Sequence, residues 1–219
     1  MNSRPILMDK VSGEFHMGKP SLSRWQQFYL NDSKLASIPA SACAMQAARI
    51  FAESNCRIIL DLGCGAGRDS LCLANGGAKV IGLDAARSGL LLAKKRVTPS
   101  QCRLSWVESD SRFLPFSSAS FDGVYCFGLL HEFVSESAKS DVRLTMDGIN
   151  RVLKPSGTAI LATVAGDPEK GLPHVQNYSQ AMFDAVIAEF RCIDKKVYDE
   201  LGCTGRADYK VLFGHLVKK

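Results

Sequence analysis

Asp61 and Asp84 each stand at the end of a short apolar run and Asp110 follows two residues after another, and the first opens the stretch Asp61-Leu62-Gly63-Cys64-Gly65-Ala66-Gly67-Arg68. Glycines at this density admit positive φ and let a ligand touch bare backbone, and a following helix start offers unpaired N–H groups to an anion. Asp84 comes seventeen residues after Gly67 and supplies a two-oxygen acceptor suited to a ribose diol. The spacing is G-x-G-x-G, not the G-x-G-x-x-G that cradles a pyrophosphate, and an acid stands two positions before the first glycine. A carboxylate there repels a diphosphate and attracts an ammonium or sulfonium. Asp61 also has a purely local use, as an acceptor for the amides of its own turn. The chemistry this pattern favours is recognition of a nucleoside carrying both a cation and a carboxylate.

Such residues need strands to present them. Apolar runs at Arg57–Leu62, Lys79–Asp84, Cys102–Glu108, Gly123–Phe127 and Thr158–Val164 predict strands. Helical spacing places helices near Arg68–Asn75, Arg87–Arg96 and Ala138–Leu153 between them. Gly76-Gly77 and Thr98-Pro99 are helix terminators. Alternation of this kind means a mostly parallel sheet with helices on both faces, and ligands in such sheets lie beyond the carboxyl ends of the strands. Asp61, Asp84, Asp110 and Phe127 all fall at those ends. Upstream, helices are predicted near Ser23–Leu30, with Trp25, Phe28 and Tyr29, and from Pro39 to Glu53. Downstream, a helix over Ser179–Glu189 leads to strands at Cys192–Val197 and Asp208–Val217. The Lys154-Pro155-Ser156-Gly157 segment reads as a helix-to-strand turn.

Four blocks carry a family resemblance: Ile59–Gly67, Val80–Asp84, Asp110-Ser111-Arg112-Phe113-Leu114-Pro115-Phe116, and Arg151-Val152-Leu153-Lys154-Pro155-Ser156-Gly157. With Phe121–Cys126 between the last two, the chain resembles a small class I S-adenosylmethionine-dependent methyltransferase. The resemblance implies a Rossmann-like α/β fold, a seven-stranded mostly parallel sheet ending in two antiparallel strands. It implies S-adenosylmethionine as cofactor, with Gly63 and Gly65 against its methionine portion and Asp84 on the ribose. Asp110 would accept from the adenine amine, with the Ser111 N–H facing a ring nitrogen and Phe127 near the methionine end. Asp110 also reads as a turn former. His131, in Gly128-Leu129-Leu130-His131-Glu132-Phe133, is the candidate base, and the alternative is a histidine packed in its loop or bonded to Glu132. Trp25 and Tyr29 loosely resemble the N-terminal helix of tellurite- and thiopurine-type enzymes that closes over the cofactor; core packing is the rival use.

With 219 residues and 46 % hydrophobic content the chain suffices for one substantial core. The expected division is a tail and helical lid over residues 1–36 and a catalytic domain over 37–219. A formal charge of +5 is mild and scattered; Lys94-Lys95-Arg96 suits a helix end. No Asn/Asp-Pro-Pro-aromatic tetrapeptide, cytosine-C5 signature or RNA-binding module occurs, so nucleic acid is not an expected partner. No apolar segment reaches membrane-spanning length, and Ile6-Leu7-Met8 is too short for a signal core, which predicts a cytoplasmic protein without membrane contact. Eight cysteines without a C-x-x-C pair read as buried free thiols, with no metal site expected. The expected reaction is in-line methyl transfer to a small-molecule acceptor by a monomer or homodimer. A protein side chain as acceptor, or a catalytically silent S-adenosylmethionine-binding protein, are the alternatives. A nicotinamide-dependent oxidoreductase is disfavoured by the glycine spacing.

Overall fold

Residues 21–31, 38–97, 103–201 and 208–219 are described by the computed structural model. Helix α1 (Ser21–Asn31) is followed by α2 (Ala42–Glu53), β1 (Ile58–Leu62), α3 (Arg68–Asn75), β2 (Lys79–Asp84), α4 (Arg87–Arg96), β3 (Leu104–Glu108) and β4 (Phe121–Phe127). Then come α5 (Ala138–Val152), β5 (Leu153–Val164), α6 (Gln180–Val186), β6 (Phe190–Leu201) and β7 (Asp208–Lys218). The seven strands form one sheet in the order β3-β2-β1-β4-β5-β7-β6. Strands β1 to β5 pair in parallel, and β7 pairs antiparallel with both β5 and β6. The fold is the Rossmann-like α/β class anticipated above.

Strand alternation builds two cores. Leu60, Leu62, Val124, Cys126, Ala159 and Leu161 point to the side of α5 and α6, where Met146, Ile149, Val152 and Phe183 meet them. Ile59, Val80, Tyr125, Ile160 and Ala162 point the other way, onto Cys43, Ala44, Ala47, Ile50 and Phe51 of α2. Helices on both faces explain why the central strands read as near-continuous apolar runs.

Successive connections carry the chain from β1 through β2 to β3, and β4 then starts on the opposite side of β1. The crevice between β1 and β4 is therefore the switch point where an open α/β sheet binds ligands.

Several elements differ from the sequence expectation. Helix α2 starts at Ala42, not Pro39, because the Ser41 hydroxyl caps it by accepting from Ala44 N–H (2.9 Å). Helix α6 is shorter than Ser179–Glu189, capped by Ser179 and ended by Ile187. The Lys154–Gly157 segment lies within β5: Leu153 pairs with Phe121 and Thr158 with Gly123, so the turn residues form a bulge with Ser156 at φ 59°. Strands β6 and β7 run over 12 and 11 residues. A register shift between Cys192 and Asp194 breaks the alternation by which β6 would be read. Residue 102 and the 98–99 terminator lie outside the described residues, as do residues 1–20 and 32–37 of the expected lid and its boundary.

Candidate active site

The glycine bend is tied to the end of β2. Gly63 N–H and Cys64 N–H both donate to the Leu83 carbonyl (2.8 and 3.1 Å), and Gly67 N–H closes a turn on Cys64 (2.9 Å). Gly63, Gly65 and Gly67 stand at φ 79°, 52° and 74°, a region costly to any residue with a Cβ. Asp84, at the tip of β2, accepts from Gly65 N–H through Oδ2 (2.8 Å) and from Ala86 N–H through Oδ1 (2.7 Å). One carboxylate thus joins the bend after β1 to the start of α4. Burial raises its pKa against the lowering effect of those backbone donors.

Asp61, at the other end of that connection, is fully enclosed and accepts from Ser70 Oγ in the first turn of α3 (2.5 Å). Burial outweighs the Ser70 hydrogen bond and pushes its pKa up to about 8, with the neighbouring Asp69 and Asp84 charges adding to the rise. An unfolded aspartate titrates near 3.8. The unfolded chain therefore releases this proton first, and stability contributed by protonated Asp61 is lost as pH climbs from about 4 to about 8. Asp61→Asn, without added ligand, is expected to melt above the natural protein by a margin that widens between pH 5 and pH 8. Melting curves check this; a margin independent of pH removes the perturbed carboxyl.

Helix α1 lies across the strand tips. Gln26 holds one end at α4, accepting from Ser88 N–H at its side-chain oxygen (3.0 Å) and from Ser88 Oγ at its backbone carbonyl (2.9 Å). On the other side, Glu132 Oε2 accepts from both Arg24 Nη2 and Trp25 Nε1 (3.0 Å for the indole). Arg24 Nη1 reaches the His174 carbonyl (3.3 Å). Trp25 and Tyr29 stack with centroids 5.5 Å apart. The Tyr29 phenol rests on the glycine bend: a Cβ at Gly65 would fall 2.2 Å from its hydroxyl, and one at Gly89 would fall 2.9 Å from its ring. The tyrosine fills the cradle that the bare backbone creates.

The remaining anticipated residues are placed as follows. Both Asp110 oxygens receive the Arg112 fork (Nε 3.0 and 3.1 Å, Nη2 2.6 Å), and Arg112 Nη1 continues to Asp141 of α5 (3.0 Å). The Arg112 hydrogen bonds hold the Asp110 carboxyl below its ordinary range. Ser111 is buried beside it. Phe127 ends β4, half-buried, with its ring under the Arg68 guanidinium (5.7 Å to the centroid). His131 is buried in the 3₁₀ turn Leu130–Glu132, its Nε2 3.6 Å from Glu132 Oε1. Burial and the Arg24 charge push its pKa down to about 4, so it does not titrate near neutrality as an exposed imidazole does.

Arg24, Gln26, Ser88 and His174 carry no motif and no sequence signal points to them, while Arg112 stands in the Asp110–Phe116 block without a role of its own. Trp106 was also missed. Its ring packs where Gly67 and Gly82 leave space, and a Cβ at either would come within 2.6 and 2.5 Å of it.

The acid-tipped strands, the glycine bend and the switch point together define a nucleoside-binding α/β enzyme fold. Residues 59–157 match the family described as a methyltransferase domain. Over 106 residues the chain is 41 % identical to a cypemycin N-terminal methyltransferase from Streptomyces, covering 48 % of this chain and 41 % of that protein. Over 111 residues it is 35 % identical to a demethylmenaquinone methyltransferase from Clavibacter sepedonicus, covering 50 % and 42 %. The chain thus spans less than half the length of these curated relatives. Among solved structures, the N-methyltransferase NodS from Bradyrhizobium japonicum, in complex with S-adenosyl-l-homocysteine, superposes with a TM-score of 0.69 at 15 % identity, covering 91 % of this chain and 99 % of that one. Over residues 59–157, under half of the chain, the sequence is thus similar to methyltransferase domains, and the fold as a whole is the one this solved methyltransferase shares.

Proposed function

We propose that this protein transfers a methyl group from S-adenosylmethionine to a small-molecule acceptor. The observation that carries the reading is the Gly65 N–H to Asp84 bond, which brings the glycine bend and the acid of β2 together at the switch point. The donor set suits the cofactor. Asp61 is a buried carboxyl whose charge a nearby cation would stabilise. Gly63 and Gly65 offer bare backbone to the methionine portion, and Asp84 keeps lone pairs for the ribose hydroxyls. Asp110 and Ser111 serve the adenine edge, with Arg112 sharing the carboxylate; Phe127, Trp25 and Tyr29 form the walls.

When bound, S-adenosylmethionine supplies the methyl group on an already activated sulfonium. The chain's own work is alignment and exclusion of water, and fixed orientation is worth ~7–11 kcal/mol of barrier. Helix α1 does the excluding, above the described core of the catalytic domain. Tyr29 must leave the Gly65 cradle for the methionine end to reach it. Six described cysteines are free thiols, which suits a cytoplasmic setting. Among the described residues no helix is long and apolar enough to cross a membrane.

Calorimetry with S-adenosylhomocysteine and a tritiated-methyl assay over fractionated metabolites test the reading. Binding together with label in a low-molecular-weight product is the expected result. Label confined to protein would move the acceptor to a side chain or chain terminus, and binding with no labelled acceptor would favour a silent binding protein.

A further inference from the structure

Around the 3₁₀ turn after β4, three nitrogens from three elements have no hydrogen-bond partner among the described residues: Arg24 Nε of α1, His131 Nδ1, and His174 Nε2 from the loop after β5. Arg24 is 7 % exposed and His131 6 %. Arg24 Nη2 and Nη1 have partners in Glu132 and the His174 carbonyl, whereas its Nε–H has none among the described residues. His131 Nε2 stands 3.6 Å from the Glu132 Oε1 carboxylate oxygen; with the ring proton on that side, Nδ1 is a lone-pair acceptor. Arg24 and His131 both face the Glu132 carboxylate and Arg24 also meets the His174 carbonyl, so the three side chains share one neighbourhood. A buried polar group without a protein partner needs an explanation, and a catalytic role is one of those open to it.

A donor beside an acceptor selects the chemistry of a ligand there. A carboxylate only accepts, an ammonium only donates, and a thiol does both weakly. A hydroxyl does both well. We propose that the methyl acceptor presents an acidic hydroxyl, a phenol or enol, which accepts the Arg24 Nε–H and donates to His131 Nδ1. This rests on the methyl-transfer reading above and narrows its acceptor.

Arg24 stabilises negative charge growing on the oxygen, and neutral His131 receives the proton. The O–H bond breaks, its proton going to His131 Nδ1. An oxygen lone pair forms the bond to the methyl carbon, and the methyl–sulfur pair stays on sulfur, giving an ether and S-adenosylhomocysteine. The proton then passes to solvent. Because α1 seals these nitrogens, the helix must lift to admit the acceptor and reseat for transfer.

The test is a panel of phenols, anilines and thiols with tritiated-methyl cofactor, run on the natural protein and on His131→Asn. The amide oxygen of the variant keeps an acceptor near the Nδ1 position and removes the base. The expected product is an aryl ether. In His131→Asn, kcat should fall about 100-fold for phenols with pKa near ~10 but only a few-fold for nitrophenols already ionised, with KM little changed. S-adenosylhomocysteine titration and melting curves establish that the variant is folded. A second readout needs no turnover: 4-nitrophenol added to the S-adenosylhomocysteine-loaded natural protein should shift its absorption on binding. Failure of the natural protein to label any hydroxyl compound, or a loss in His131→Asn that is uniform across the phenols, would overturn the proposal. Label on thiols or amines alone would overturn it and leave methyl transfer standing; absence of S-adenosylhomocysteine binding would bring down both.

Discussion

Asp84→Ala is expected to weaken S-adenosylhomocysteine binding by at least ~100-fold, the worth of two charge-assisted hydrogen bonds at ~1.5–3 kcal/mol each. Two losses combine. The carboxylate no longer accepts Gly65 N–H and Ala86 N–H, so the bend and the start of α4 lose their common anchor. The acceptor proposed for the ribose diol disappears with it. Asp84→Asn keeps one acceptor oxygen but turns an amide donor toward one of those N–H groups, so it should fall between the two. Calorimetry reads the affinity, and melting curves separate it from unfolding. Binding by Asp84→Ala within about threefold of the natural protein would show that the crevice is not organised by this acid.

Glu132→Ala should release helix α1. Its Oε2 is the shared acceptor of Arg24 and Trp25, and removing it strands a buried guanidinium. Breaking a buried pair from one side costs ~3–5 kcal/mol, and an 11-residue helix has an exit that a core strand lacks. The helix is therefore expected to undock instead of bearing that penalty, with Arg24 returning to water. Proteolytic cleavage within 21–31 should accelerate ~100-fold or more, while the melting temperature of the sheet changes little. Methyl transfer should collapse because water enters, yet S-adenosylhomocysteine should still bind, weakened by loss of the Trp25 and Tyr29 walls, because its proposed contacts on β1 and β2 stay in place. Arg24→Met combined with Glu132→Met replaces the ion pair with apolar groups and should restore protection of the helix without restoring transfer. Unchanged cleavage in Glu132→Ala would mean that other contacts, such as Gln26 with Ser88, hold the helix alone.

The two predictions concern residues of very different legibility. Asp84 is readable because it ends the next apolar run after the glycine bend and its helix, seventeen residues past Gly67, and such runs announce themselves over a few residues. For the same reason β2, α3 and α4 run from Lys79 to Asp84, Arg68 to Asn75 and Arg87 to Arg96, as their spacing predicts. Glycines at 76 and 77 stop α3 wherever the rest of the chain goes. The parallel sheet follows from the same alternation, because a helix between two strands forces a crossover.

Glu132 carries no such signal. Its partner Arg24 lies 108 positions away, and neither stands in a pattern that names the other. Arg112 belongs to the Asp110–Phe116 block, yet its grip on Asp110 and Asp141 depends on how the turn after β3 meets α5. Tyr29 reads only as an aromatic on a helix face. That its hydroxyl fills the Gly65 cradle depends on where α1 docks. The length of β6 was hidden because its bulge shifts the register and its exposed charges interrupt any apolar period. Sequence by itself determined the strands, the helices that cross between them and the acids at their tips, since these follow from backbone preferences and burial periods spanning a few residues. Tertiary structure alone decided which helix covers the crevice, which ion pair holds it there and which buried nitrogens lack partners, because those depend on packing between segments a hundred residues apart.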